Sequence, residues 1–199
     1  MSLVATLICN PADPALDSTV VDGARAILPS PGAAQWLFDE VAVDIPFSGS
    51  DDIRQIENRL REARGDLPID IVVQPQAFRR KKLFLADMDS TMIGFQENRA
   101  NELLVADGKL TGEVREPILG RAAKLATLIE LRESFDLDNL DTLVVGDGAN
   151  DLDMIQDAGL GVAYRAKPTV AAAAAARIDH GDLTALLYAQ GFRRDEFVG

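Results

Sequence analysis

The sequence is poor in cysteine, which limits how and where the protein can be stabilised. Its 199 residues include one cysteine, Cys9. A single cysteine excludes an internal disulfide framework and is typical of a reducing compartment. Because Cys9 lies in an apolar run, we interpret it as a small core residue rather than as a nucleophile.

Basic residues are also scarce. Lys and Arg number 20 against 32 Asp and Glu, which gives a formal net charge of −12. An acidic surface repels nucleic-acid phosphates and anionic lipid, so we expect neither nucleic acid nor a membrane as a partner. A phosphate site in such a chain has to be built locally, from a metal ion, a lysine or backbone N–H groups. The one strongly basic run, residues 79–82, is interpreted as a solvated linker.

Long apolar runs are absent as well. No run approaches the roughly 20 apolar residues that a membrane-spanning helix needs. The first residues also lack the basic segment that opens a signal peptide. We therefore expect a soluble, cytoplasmic protein.

Apolar periodicity divides the chain into two segments. Residues 1–78 have the order strand, helix, strand, strand, helix, strand, which is typical of a small ferredoxin-like α+β domain. Residues 79–199 alternate strands and helices, which favours an α/β fold with a Rossmann-like sheet. Within this segment, Asp107-Gly108 predicts a hairpin turn, and the alanine-rich residues 170–176 predict a helix.

Two acidic residues follow the first predicted strand of the second segment. Asp87 and Asp89 come directly after the apolar residues 83–86. They are therefore expected at the C-terminal end of a strand, where open α/β sheets bind ligands. Residues two apart in extended chain point to the same side. Two such carboxylates can divide the work of a phosphomonoesterase, one attacking phosphorus and the other transferring protons.

A second acidic cluster, residues 146–151 (GDGAND), follows another apolar strand. Its glycines allow the backbone to approach a ligand closely, and the next helix offers free N–H groups. If the two strands are neighbours, Asp87 and Asp147 can share a Mg²⁺ ion, which prefers oxygen ligands. Lys124, near the start of the intervening predicted helix, could neutralise a phosphoryl group.

Together these residues resemble the motifs of the haloacid-dehalogenase-like phosphatase superfamily. The resemblance implies that Asp87 is the nucleophile and that Asp89 is the general acid/base. It also implies a Mg²⁺ site formed by Asp87, Asp89 (through its carbonyl oxygen) and Asp147. The remaining matches are, for phosphate binding, Thr91, Lys124 and Asn150, and, as supporting residues, Gly148 and Asp151.

Within that superfamily the chain is most similar to the phosphoserine phosphatase family. The similarity includes residues 85–94, 97–101, 107–112 and 178–188. It implies Mg²⁺-dependent hydrolysis of O-phosphoserine in serine biosynthesis. Residues 1–78 resemble the ACT-like domain of the bacterial type, which implies an amino-acid effector or a dimerisation role, and a homodimer is possible. The resemblance gives His180 a structural place only.

The chain departs from the family pattern between Gly94 and Phe95. Family members have a long segment there, which contains the helical cap and a strand ending in a phosphate-binding serine. A parallel strand needs a crossover of about a dozen residues or more, which does not fit between Thr91 and Glu102. The resemblance therefore implies a truncated core whose acidic motifs and lysine could still converge.

Three hypotheses follow from this departure. The chain is a phosphatase, either a phosphoserine phosphatase or a cap-less enzyme of low specificity. Or it is a catalytically impaired remnant that binds an amino acid or a metal ion. Or the natural protein contains a segment that this sequence omits. The sequence alone leaves the three open.

Overall fold

The computed structural model of the chain describes residues 2–49, 52–87, 103–106, 108–114 and 120–198. The residues singled out above at Asp89, Thr91, Gly94 and Phe95 lie outside this set.

The first part of the chain forms an antiparallel sheet covered by two helices. Its elements are β1 (Ser2–Cys9), α1 (Ser18–Ile27), β2 (Gln35–Phe38), β3 (Ala42–Ser48), α2 (Ile53–Arg64) and β4 (Ile69–Pro75). The strand order is β2-β3-β1-β4, and every neighbouring pair is antiparallel. The predicted order of elements for residues 1–78 is confirmed, although no observation tests residue 78 as a domain boundary.

Local signals in the sequence explain where the two helices begin and end. The side chain of Asp17 accepts a hydrogen bond from Val20 N, and that of Asp52 accepts one from Arg54 N. Such caps satisfy N–H groups that have no partner inside the helix. Gly65 ends α2 with a positive φ of 57°, which glycine adopts without strain.

The second part forms a parallel sheet with helices. Its strands are β5 (Leu83–Ala86), β8 (Thr142–Gly146), β9 (Leu160–Tyr164) and β10 (Ala176–Ile178), in the order β10-β9-β8-β5. Between β5 and β8 lie a hairpin, β6 (Leu103–Ala106) and β7 (Lys109–Val114), and helix α3 (Arg121–Ser134). The helices α4 (Leu152–Asp157), α5 (Pro168–Ala173) and α6 (Ala185–Ala189) complete this part.

The helix predicted over residues 170–176 is displaced. The observed α5 begins at Pro168 and ends at Ala173, and Ala176 already belongs to β10. Proline suits the first helical position because it has no N–H to leave unpaired. Strand β10 pairs in parallel with β9, which buries Ala176 and Ile178. This tertiary pairing outweighs the helix propensity of alanine.

The interpretation of residues 79–82 as a solvated linker is wrong for Arg79, whereas Arg80 and Lys82 are exposed. The Arg79 guanidinium donates two hydrogen bonds to the carboxylate of Asp44 in β3, at 2.6 and 3.0 Å. Only 12% of the Arg79 side chain and 8% of the Asp44 side chain are exposed. Arg79 also donates to the carbonyl oxygens of Tyr188 and Ala189 at the end of α6. A buried carboxylate is costly without a charged or hydrogen-bonding partner, and Arg79 is that partner for Asp44.

A second polar contact joins the two parts of the chain. Asp70 in β4 is fully buried, and its carboxylate accepts hydrogen bonds from the backbone N–H groups of Asp179, His180 and Gly181. The His180 ring lies 3.2 Å (Nε2) from the Nη1 atom of Arg64. These contacts fasten the turn after β10 to the first sheet.

Two smaller expectations can also be compared with the structure. Cys9 is fully buried in the core of the first sheet, as expected. Among the described residues, no helix combines the length and the apolar character that crossing a bilayer requires.

Candidate active site

The two acidic motifs meet because β5 and β8 are neighbouring parallel strands. Leu83 to Ala86 pair with Thr142 to Val145, so both strands end at the same edge of the sheet. Asp87 N continues the pairing by donating to Val145 O at 3.0 Å. Asp87 and Asp147 therefore leave the sheet side by side, as the sequence predicted for adjacent strands.

Three carboxylates gather at this edge. One oxygen each of Asp87, Asp147 and Asp151 lies within 4.8 Å of the others. Asp151 is fully buried at the start of α4, where its side chain accepts a hydrogen bond from Gly148 N at 3.0 Å. Asp87 and Asp147 are partly exposed. Two of the three carboxylates are therefore partly accessible, and the third is not.

Lys124 joins two of the three carboxylates. Its Nζ atom donates to Asp87 Oδ1 and to Asp151 Oδ1, both at 2.6 Å, and 10% of its side chain is exposed. Burial disfavours the charged amino group, but the hydrogen bonds to Asp151 and Asp87 outweigh burial and raise the pKa of Lys124 above its ordinary value. The lysine therefore stays protonated and offsets part of the negative charge of the cluster.

Gly146 allows Asp151 to reach this position. A Cβ atom added to Gly146, the last residue of β8, would lie 2.6 Å from the Cβ, Cγ and Oδ2 atoms of Asp151. Real Cβ atoms do not come that close to other heavy atoms. The glycine at the strand end is therefore a packing requirement of the buried carboxylate.

The donor set suits a hard divalent cation. The three acidic side chains offer only oxygen ligands, and Mg²⁺ prefers oxygen and binds through one or two carboxylates while keeping several waters. Asp87 and Asp147 are the partly exposed members of this set, whereas both oxygens of the buried Asp151 accept hydrogen bonds, from Lys124 Nζ and from Gly148 N. The residues therefore fit a Mg²⁺ ion beside Asp87 and Asp147.

The structure brings together most of the site residues that the sequence predicted. Asp87, Lys124, Asp147, Gly148 and Asp151 lie in one place, and Asn150 is exposed in the turn between Gly148 and α4. Asp89 and Thr91 lie outside the described residues.

Sequence reasoning missed one ion pair beside the site. Arg121, the first residue of α3, donates from Nε to Asp153 Oδ2 at 2.6 Å, and its Nη2 donates to Asp153 Oδ1. Nothing in the sequence pairs two residues that lie 32 positions apart.

Residues 118–189 match the model of a known family, described as haloacid dehalogenase-like hydrolase. The match covers about a third of the chain, so it shows a similarity of this part to that family. The matched residues include Lys124, Asp147 and Asp151 of the acidic site, whereas Asp87 lies before them and joins through the pairing of β5 with β8.

Several curated proteins are similar to part of this chain. A phosphoserine phosphatase of Streptomyces coelicolor is 39% identical over 112 residues, which are 56% of this chain and 27% of the relative. A phosphoserine phosphatase of Haemophilus influenzae is 39% identical over 104 residues, 52% of this chain and 33% of the relative. A third, from Methanocaldococcus jannaschii, is 40% identical over 95 residues, 48% of this chain and 45% of the relative. The chain thus spans about a quarter to a half of the length of these relatives.

Solved structures support the fold. A HAD family hydrolase from Salmonella enterica serovar Typhi aligns with a TM-score of 0.76 and 16% identity, over 98% of this chain and 99% of that one. A probable phosphoserine phosphatase from Vibrio cholerae aligns with a TM-score of 0.63 and 16% identity, over 96% of this chain and 86% of that one. At this identity the likeness shows the fold alone: a parallel sheet with helices, preceded by an antiparallel sheet covered by two helices.

Proposed function

We propose that the chain is a Mg²⁺-dependent phosphomonoester hydrolase that forms an aspartyl-phosphate on Asp87. The observation that carries this proposal is the placement of Lys124 between Asp87 and the buried Asp151, with Asp147 beside them at one sheet edge. A charged lysine against a carboxylate nucleophile lowers the repulsion that an anionic phosphate would meet. The match of residues 118–189 to the model of a hydrolase family supports the same reaction class.

The reaction needs two carboxylates with different tasks. Asp87 attacks phosphorus, its new O–P bond forms as the ester P–O bond breaks, and the leaving alcohol takes a proton from Asp89. A water molecule then attacks the aspartyl-phosphate, gives its proton to Asp89 and releases phosphate, which restores Asp87. The role of Asp89 comes from the sequence motif, since this residue lies outside those described.

The chain's own groups hold the phosphate during both steps. The Lys124 amino group is protonated because its pKa is raised, and it can donate to a phosphoryl oxygen without losing Asp151. Thr91 and Asn150 are proposed as further phosphate contacts, and Gly148 and Asp151 as supports. A Mg²⁺ ion held by Asp87, Asp89 and Asp147 would supply positive charge to the phosphoryl oxygens when bound.

For the substrate we propose O-phosphoserine, hydrolysed to serine and phosphate in serine biosynthesis in the cytoplasm. The sequence similarity to phosphoserine phosphatases supports this choice, although it covers only part of those proteins. Residues 1–78 are proposed as an ACT-like domain and 79–199 as the phosphatase core. A homodimer and an amino-acid effector remain proposals, and an effector would have to avoid the sheet face that Asp44 and Asp70 use to bind the rest of the chain.

The decisive experiment is phosphate release by the purified chain with and without Mg²⁺. We expect release from O-phosphoserine and from p-nitrophenyl phosphate that requires Mg²⁺ and is lost in Asp87→Asn, because an amide cannot attack phosphorus. The matched control is Asp22→Asn, which removes an exposed carboxylate on α1 and should leave the rate unchanged. Equal release by the wild type and Asp87→Asn would refute the proposed reaction.

A second candidate, a binding module without turnover, is favoured by the direct passage from Gly94 to Phe95 in the sequence. It predicts heat of binding for serine or Mg²⁺ in calorimetry without phosphate release. The remaining possibility is that the natural protein contains a segment between Gly94 and Phe95. An intact-mass measurement on the natural protein tests it, because such a segment would raise the mass above that of the 199 residues.

A further inference from the structure

An ion pair connects the first turns of α3 and α4 just outside the acidic site. Arg121 makes two parallel hydrogen bonds to the carboxylate of Asp153, one of them at 2.6 Å. This fork geometry fixes the two groups more tightly than a single contact does. The side chains are 49% and 34% exposed, so the pair is reached by water and is of modest strength on its own.

Arg121 stands where a helix disfavours a positive charge. It is the first residue of α3, whose first turn contains no acidic residue and whose N-cap, Gly120, makes no side-chain hydrogen bond. The N-terminus of a helix carries a partial positive charge, so a cation there is unfavourable. Asp153 lies in the first turn of α4, where an acidic residue is favoured without any partner. The pairing therefore compensates Arg121 and ties α3 to α4.

The same two helices carry the contact on which the proposed site depends. Lys124 follows Arg121 by three residues, about one turn of α3, and donates to Asp151 at the start of α4. The Lys124 amino group is held by Asp87 and Asp151, and the distance between α3 and α4 determines whether it can reach both carboxylates at once. Arg121–Asp153 and Lys124–Asp151 are thus two neighbouring contacts between the same helix ends.

We infer that Arg121, acting through Asp153, is a positioning residue that sets α3 against α4 so that the Lys124 amino group stays between Asp87 and Asp151. This inference rests on the proposed function for its kinetic consequences and on the geometry alone for its structural ones. Misplacing a catalytic group by about 1 Å can lower a rate by up to about a hundredfold. An exposed pair produces a smaller displacement, and we expect a loss of roughly three- to tenfold in kcat.

The chain offers a matched control between the same helices. At their other ends, Arg132 donates to Asp157 at 2.8 Å. Arg132 lies eight residues beyond Lys124, about 12 Å along the helix axis. Arg132→Gln therefore removes another Arg–Asp ion pair between α3 and α4, with one hydrogen bond instead of two, far from the acidic site.

The test compares Arg121→Gln, Asp153→Asn, their double variant and Arg132→Gln. We expect kcat to fall roughly three- to tenfold in both single variants at the site, with KM changed less than about twofold. The double variant should be no slower than either single one, because both remove the same contact. Arg121→Lys, which keeps the charge but not the fork, should be intermediate. Arg132→Gln should keep the wild-type kcat while losing a similar amount of thermal stability.

A second readout does not depend on turnover. The ammonium N–H signal of Lys124 in ¹⁵N NMR, assigned by its absence in Lys124→Met, should be visible in the wild type and in Arg132→Gln because hydrogen bonds slow proton exchange. It should broaden or vanish in Arg121→Gln. If the wild type releases no phosphate, the proposed function fails and this signal alone decides the inference. Equal signals in Arg121→Gln and Arg132→Gln, or equal kcat values in an active enzyme, would overturn it.

Discussion

At the edge of the second sheet, the side chain of Asp151 lies so close to the backbone of Gly146 that only glycine fits there. Asp151 is fully buried, and its position requires that Gly146 has no side chain. The sequence predicted glycine there for backbone approach to a ligand. The structure shows a different reason. A Cβ atom on Gly146 would collide with the side chain of Asp151 and would not point into an open cavity.

Replacing Gly146 by alanine should therefore impair the site directly. We expect Gly146→Ala to displace Asp151, to lower the Mg²⁺-dependent rate by at least about tenfold, and to destabilise the fold by roughly 1–3 kcal/mol, as overpacking typically does. Thermal unfolding and phosphate release measure the two effects. Gly23→Ala is the matched control: Gly23 lies in α1 with nothing within 4 Å of an added Cβ. That change should stabilise the helix by about 0.5–1 kcal/mol. A fully active Gly146→Ala would contradict the packing argument.

Asp87 and Asp147 could be predicted as site residues because each follows an apolar strand, whereas Lys124 was assigned to the site mainly by the resemblance to a known family. The partners of these residues could not be predicted in the same way. Asp151 was expected only to support the site, yet it is the buried acceptor that fixes Lys124. Such a role depends on the angle between α3 and α4, which no short stretch of sequence contains.

Elements defined by periodicity or turn chemistry were predicted well. The predicted hairpin is observed as β6 and β7, and Gly108 has a positive φ of 74°, which glycine adopts without strain; Asp107 lies outside the described residues. Elements that exist only through pairing were not predicted. Strand β10 is three residues long and follows an alanine run, and its extended conformation depends on its partner β9. Charge pattern was misleading at Arg79, whose partner Asp44 lies 35 residues away.

The contact between β3 and residue 79 leads to a prediction about stability. Asp44→Ala leaves the Arg79 guanidinium nearly buried without its carboxylate, and we expect a loss of about 3–5 kcal/mol in the free energy of unfolding. Urea denaturation measures it. Replacing both partners, as Asp44→Leu with Arg79→Met, should cost less than the single change, because no buried charge is left unpaired.

An exposed ion pair supplies the comparison for this prediction. Asp22 pairs with Arg25 on the surface of α1, with side chains 72% and 40% exposed. Asp22→Ala should change the free energy of unfolding by less than about 1 kcal/mol, as surface pairs typically do. If Asp44→Ala lowered the free energy of unfolding by no more than Asp22→Ala does, the prediction would be wrong. The ion pair with Asp44 would then not be what holds Arg79 against the first sheet.

At the scale of the whole molecule, polar contacts between residues far apart in the sequence join the antiparallel sheet to the parallel sheet and the segments around it. Asp44 binds Arg79, and Asp70 binds the turn at residues 179–181. Gln74 Nε2 also donates to Ala189 O at 2.6 Å. Because these groups are buried on one face of the first sheet, separating the sheets would leave several of them without partners. We therefore expect the two sheets to unfold together.

Metal binding can test whether the two sheets unfold together. The chain has a single tryptophan, whose fluorescence reports on the first sheet, whereas the metal is expected at the second. Trp36 belongs to β2 of the first sheet, whereas Mg²⁺ is expected at the edge of the second. A ligand that binds only the folded state stabilises it by about 2.7 kcal/mol at one hundred times its Kd. We expect Mg²⁺ to raise the urea midpoint reported by Trp36 fluorescence as much as the midpoint reported by circular dichroism. Asp147→Asn should abolish both shifts, because it removes a carboxylate of the proposed metal site. A Trp36 transition that ignores Mg²⁺ while the circular dichroism midpoint moves would mean that the first sheet unfolds independently, and that the contacts of Asp44 and Asp70 do not transmit stability between the sheets.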